Sequence, residues 1–159
     1  MKLDLVLREL HRSEKSLARD LRRTSERHTV EHEVHHVARD LAGWSAEHVR
    51  ALALCGRDYG LHLSDEVAEN TPLTPLRESL SEVTGCRPEP GLVLLADLRR
   101  LHRGAVGVSL DWELLAQGAQ AAKDARLLEL ASGCHPQTLR QMKWTNAMLK
   151  ILSPQILTS

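Results

Sequence analysis

HTVEHEVHHVARDLAGWSAEHVRALALC, residues 28–55, is the stretch whose reading decides the fold. Val30, Val34, Val37, Leu41, Trp44, His48 and Leu52 recur at steps of three and four. That rhythm places them on one face of an α-helix, as the seam by which a helix joins a bundle. A half-buried strand would need strict alternation instead. Gly56 and Gly60 follow as terminators.

The same period extends to both sides. Residues 2–23 carry Leu3, Val6, Leu7, Leu10, Leu17 and Leu21 with charges on the opposite face. Thr24 and Ser25 offer caps, so a turn is expected at 24–27. Residues 91–132 repeat Leu94, Leu98, Leu101, Ala105, Val108, Trp112, Leu115, Ala119 and Ala122. Unbroken, they would span roughly 63 Å at about 1.5 Å per residue, so a break is expected near Gly104 to Gly107, with Ser109 as cap. A last helix is expected to begin at Pro136, reach about Leu152 and close at Pro154.

Residues 56–90 differ in texture, holding Pro72, Pro75, Pro88 and Pro90 and no long periodic run. A short helix is expected from Thr74-Pro75 to Gly85. Two helices, one long connection and two more helices make an all-α, four-helix bundle in a single domain spanning 1–159.

Composition agrees. The chain has 159 residues, no Phe, one Tyr and three Trp, so its core is aliphatic and rich in helix-favouring Leu and Ala. Twenty-one basic and 21 acidic side chains cancel, which gives nucleic acid little to bind. Cys55, Cys86 and Cys134 form no CxxC pair and suit neither a disulfide framework nor a zinc ribbon. No apolar run is long enough for a membrane span, and charges at Lys2, Asp4, Arg8 and Glu9 rule out a signal-peptide core. A cytoplasmic protein, free of membrane, is the expectation.

Chemistry-bearing residues fall into two groups. His28, His32 and His36 form a row at steps of four, with His35 between, and two histidines so spaced can chelate one cation. The row points away from the apolar seam, beside Glu31, Glu33 and Asp40, so a solvated face is the preferred reading. The second group lies on the seams. Glu14 takes a leucine's place between Leu10 and Leu17, and His48 interrupts the stripe of the second helix. Glu113, Gln117 and Gln120 make a polar row beside Trp112. Glu14, His48 and Glu113 together would suit iron, manganese or zinc; a Glu–His hydrogen bond that fixes helix register is the alternative.

At these residues the chain resembles the ferritin-like superfamily, most of all its small bacterial stress-associated branch. LHRSEKSL (10–17) is similar to that branch's first-helix motif and WSAEHVRAL (44–52) to its second helix. DWELLAQGAQAAKDARLLELA (111–131) looks like its third helix, and RQMKW (140–144) falls where the fourth carries its ligands. The resemblance implies a ferritin-like bundle whose long crossover is about residues 56–90. It also implies a dinuclear site, built from one Glu on each of two helices and a Glu-x-x-His pair on each of the others. This chain departs from that set. Glu14 matches the first helix's carboxylate and His48 the second helix's histidine, but Ser45 stands where its Glu belongs. Glu113, or Asp111 beside it, matches the third helix, while Gln141 and Trp144 stand at the fourth helix's spacing. Glu33-x-x-His36 is a literal match, yet it lies off the seam.

The expectation is therefore a bundle without a dinuclear catalytic centre and without catalytic residues, acting by binding or self-association as a homo-oligomer. Trp144 and the ILSPQIL tail (151–157) are its expected exposed apolar features. The alternatives are a metalloprotein holding one Fe, Mn or Zn for storage or redox protection, and a ligand pocket lined by Trp44, Trp112 and His102. No phosphate-binding glycine loop or Gly-x-Ser-x-Gly elbow supports another enzyme class.

Overall fold

A computed structural model describes residues 2–69 and 89–159. Among them the regular structure is entirely helical: α1 (Leu3–Arg27), α2 (His32–Gly56), a 3-10 turn (Arg57–Tyr59), α3 (Pro90–Ala121) and α4 (Ala125–Leu157). The short helix expected within 74–85, like Cys86, lies outside the described residues.

The first hairpin turns at 28–31 rather than at 24–27. Thr24 and Ser25 stay helical because both are buried and neither is free to cap. The Ser25 hydroxyl donates to the His35 carbonyl at 2.6 Å, and His35 Nδ1 donates to the Ser25 carbonyl at 2.8 Å. This clasp sets where α1 and α2 part. It also leaves Val30 in the turn at 82% exposure, off the seam to which its spacing assigned it. From Val34 onward Val34, Leu41, His48 and Leu52 are buried, and Val37 and Trp44 pack half-buried against the core.

Neither expected break in the later helices occurs. α3 runs through Gly104 and Gly107 without interruption. Neither glycine is crowded, since a Cβ on Gly104 would make only ordinary contact with Leu17 at 3.5 Å and one on Gly107 would meet nothing within 4 Å; at Gly118 a Cβ would lie only 2.7 Å from the Leu3 side chain. The chain reverses at 122–124 instead, with Lys123 left-handed (φ 57°) and the Asp124 carboxylate capping α4 by accepting from the Leu127 amide at 3.0 Å. α4 then passes through Pro136 and Pro154. A proline inside a helix forfeits one ladder bond and costs roughly 3 kcal/mol. Burial of Leu127, Ala131, Thr138, Gln141, Thr145 and Met148 along the whole length outweighs that cost.

Contacts fix the directions. Glu14 meets His48 and Ser25 meets His35, so α1 and α2 are antiparallel. Ser13 meets Asp111 and Arg27 meets Asp97, so α3 also opposes α1. His102 meets Thr145, and Ser109 meets His135, so α4 opposes α3. Consequently α2 and α3 point the same way, at opposite corners of the bundle. After Gly60, left-handed at φ 69°, residues 61–69 lie beside α1: His11 Nε2 donates to the Ser64 carbonyl and Arg22 to that of Val67.

The main core gathers Leu7, Leu10, Leu17, Leu21, Leu41, Leu52, Leu101, Trp112, Leu115 and Leu127; a smaller one at the far end joins Val34, Leu94, Leu98 and Met148. Trp144 packs against both cores and is not the exposed residue its position suggested. Leu152 and Ile156 of the tail join the smaller core, while Ile151 and Leu157 face out. No helix among the described residues is long and apolar enough to cross a membrane.

Candidate functional site

The buried seam of α1 carries Glu14 into the centre of the bundle, where it is 0% exposed. A carboxylate cannot stay there without partners. Its Oε1 accepts two bonds: one from the Trp112 indole N–H at 2.8 Å, the other from His48 Nδ1 at 2.8 Å. His48, 2% exposed, places its other nitrogen, Nε2, 2.7 Å from the Gln137 carbonyl oxygen. With an oxygen at hydrogen-bond distance from each ring nitrogen, the surroundings of His48 favour the doubly protonated imidazolium. Burial alone would lower its pKa. The Glu14 hydrogen bond and charge, helped by Gln137, outweigh burial and raise it above 6.5. Trp112 also packs edge-on against the imidazole, with ring centres 5.8 Å apart.

Ser45 and Gln141 continue this layer. The Gln141 amide donates to Ser45 Oγ at 2.9 Å and to the Leu41 carbonyl at 3.0 Å. Thr145, one turn on, bonds His102 Nδ1 at 2.9 Å. Four helices thus contribute polar groups to one water-excluded region. Among the described residues, Glu14 Oε2, Thr138 Oγ1, Gln141 Oε1 and Trp144 Nε1 are buried without a protein partner.

Glu14 and His48 do meet, but Glu113 does not join them. Its side chain is 56% exposed, accepts from Gln117 at 3.1 Å, and lies 3.9 Å from His135. Trp112 is fully buried, and a helix turns about 100° per residue, so its neighbour is carried outward. Asp111, the other candidate, accepts from Ser13 at 2.7 Å.

The histidine row does not exist as a row. His28 is not on α2; it follows the last residue of α1, is buried, and bonds Asp97 through Nε2 at 2.8 Å. His32 and His36 are exposed on α2, and His36 accepts from Arg39.

Asp97 forms a second buried polar centre, held by Arg27, His28 and Arg100. Burial pushes its carboxyl pKa up, but the His28 hydrogen bond and the two guanidinium charges prevail and hold it below 3.8. Asp97 sits between Leu94 and Leu101 on the α3 stripe, the kind of interruption that marks Glu14, and the stripe reading passes over it. Gln137 and Thr138 are also missed, although Thr138, Gln141 and Thr145 form a polar row at helical spacing.

The donor set does not fit two metals. An indole N–H is aimed at Glu14 Oε1, and both His48 nitrogens face oxygen acceptors. Among the described residues no group of three or more His, Cys, Asp or Glu is arranged to hold a metal ion. The described cavities lie elsewhere. One of about 330 Å³ is lined by α1 and Leu63; the other, of about 260 Å³, by Cys55, Asp58, Tyr59, Asp124, Arg126 and Leu127. Comparison of the chain with protein-family models, with curated proteins and with solved structures returned no match.

Proposed function

We propose that the chain is a ferritin-like bundle in which a hydrogen-bonded ion pair stands where a dinuclear centre would, and that it works by binding and self-association rather than by turnover. The long crossover read from the sequence at about residues 56–90 is supported by the shared direction of α2 and α3 on either side of it. The observation that carries the reading is the double use of Glu14 Oε1 by Trp112 and His48. It turns the α1 carboxylate from a ligand into an acceptor of two protein hydrogen bonds. Leu110 and Leu114 on α3, each 61% exposed, with Leu139 and Ile151 on α4, supply apolar surface for self-association.

A second reading rests on one atom. Glu14 Oε2 is buried with no protein partner among the described residues. With His48 deprotonated, one iron, manganese or zinc ion would find an imidazole and a carboxylate there.

Plasma mass spectrometry after loading with Fe(II), Mn(II) and Zn(II), paired with light scattering, separates the two. The proposal expects metal far below one per chain, unaltered by Glu14→Gln, and an oligomer in solution. One metal per chain, lost on Glu14→Gln, establishes the second reading. A monomer at every concentration removes self-association.

A further inference from the structure

Arg8, Arg12, Lys15, Arg19 and Arg22 recur along α1 at steps of four, three, four and three. At 3.6 residues per turn all five share one stripe. The first four, with His11 and Leu63, line the cavity of about 330 Å³ between α1 and residues 61–69. Its wall is pinned at two heights by the His11 bond to Ser64 (2.6 Å) and the Arg22 bond to Val67 (3.4 Å).

The cations in this groove are poorly compensated. Arg12 pairs with Glu9 at 3.0 Å, but both side chains are well exposed, and such a pair is worth little in water. Arg8, Lys15 and Arg19 make no ion pair among the described residues. Lys15 and Arg19 are half-buried, which strengthens their mutual repulsion. Formal net charge is zero over the whole chain, so the molecule has no general affinity for anions and the excess is local.

We propose that this groove binds a short linear chain of phosphates, two or three phosphoryl groups long. Guanidinium forks match phosphate oxygens in pairs, and an ammonium adds a point charge. Eleven residues separate Arg8 from Arg19, a rise of about 16 Å. One phosphate would reach only part of that ladder, whereas a linear chain lies along it. The cavity is at the small end of ligand sites. Its wall carries Asp65, Glu66 and Glu69, all exposed, which repel a polyanion extending beyond the groove. A nucleic-acid duplex is therefore disfavoured. The site shares no residue with the Glu14 network and does not depend on how that network is read.

Isothermal titration calorimetry of the full chain against inorganic tripolyphosphate, ATP, orthophosphate and a short DNA duplex tests this, at about 50 and about 300 mM salt. Tripolyphosphate is expected to bind once per chain, at least about tenfold more tightly than orthophosphate, and more weakly at high salt. Lys15→Gln/Arg19→Gln is expected to weaken it about tenfold or more, and Arg99→Gln/Arg103→Gln, an equal charge change on exposed positions of α3, by less than about twofold. Equal affinity for ATP supports the proposal with the phosphate chain as the whole determinant; tighter ATP binding supports it with a nucleotide as the source. Arg8→Gln/Arg12→Gln, at the groove's other end, repeats the test should the first variant melt early. Equal losses in the α1 and α3 variants, absence of saturable binding, or tighter binding of the duplex would overturn the proposal.

Discussion

Replacing His48 by leucine gives the interior ion pair its sharpest trial. Glu14 and His48 are bonded at 2.8 Å with both side chains shut away from water. Without the imidazole, the Glu14 carboxylate keeps one donor, the Trp112 indole. Breaking a buried pair by removing one partner costs roughly 3–5 kcal/mol. For a chain of this size each kcal/mol moves Tm by about 2–4 °C, so His48→Leu should melt roughly 6–20 °C lower. Glu14→Leu/His48→Leu removes both charges and leaves neutral donors and acceptors on Trp112 and Gln137, at about 1–3 kcal/mol each. The double variant should therefore be no less stable than His48→Leu, with a coupling energy of about 2 kcal/mol or more. Guanidinium unfolding followed by circular dichroism measures wild type, His48→Leu, Glu14→Leu and the double variant. The sign of the pH effect follows from the raised His48 pKa. Its contribution is complete below the unfolded value of 6.5 and is lost as pH climbs through the higher folded value. The gap between wild type and His48→Leu should thus narrow as pH rises above neutrality. Strictly additive penalties, or a gap indifferent to pH, would refute the ion pair.

Other expectations follow from single contacts. Trp112→Phe keeps an aromatic ring but removes the N–H that Glu14 accepts, and should cost about 1.5–3 kcal/mol in guanidinium unfolding; no loss would mean the bond contributes nothing. Asp97→Asn removes the charge shared by Arg27, His28 and Arg100 and should cost about 2–4 kcal/mol at neutral pH. Because the Asp97 pKa is depressed, that gap should close as pH falls below 3.8 and through the folded value; a constant gap would contradict the pairing. Pro136→Ala restores a ladder bond inside α4 and should raise stability by about 1–3 kcal/mol. A drop instead would argue that the chain breaks at Pro136 after all.

How far the sequence can be read depends on which force dominates locally. The seams of α1 and α3, and that of α2 from Val34 on, are legible because burial of Leu, Val and Trp at helical spacing leaves little choice of face. Glu14 and His48 stand out as interruptions of those seams. Breaks are less legible. Gly104 reads as a breaker, yet a glycine costs a helix only about 1 kcal/mol, and α3 runs through it. Pro136 reads as a start, yet α4 begins at Ala125 behind the Asp124 cap, because buried contacts carry the helix through the proline. Glu113 reads as inward from its neighbourhood, although burying Trp112 already spends that face. His28 groups with α2 in the sequence because a turn without Gly or Pro leaves no mark; the Ser25–His35 clasp that makes it joins residues ten apart. The α1 cation stripe is visible in the spacing, but a zero net charge over the chain conceals it.

The most direct test of the central claim is long-range ¹H–¹⁵N correlation of the His48 ring across pH, repeated with Zn(II). The account predicts protons on both Nδ1 and Nε2 at neutral pH, persisting above pH 6.5, with signals unmoved by the metal. A neutral ring at neutral pH, or a nitrogen that shifts and loses its proton when zinc is added, would contradict it.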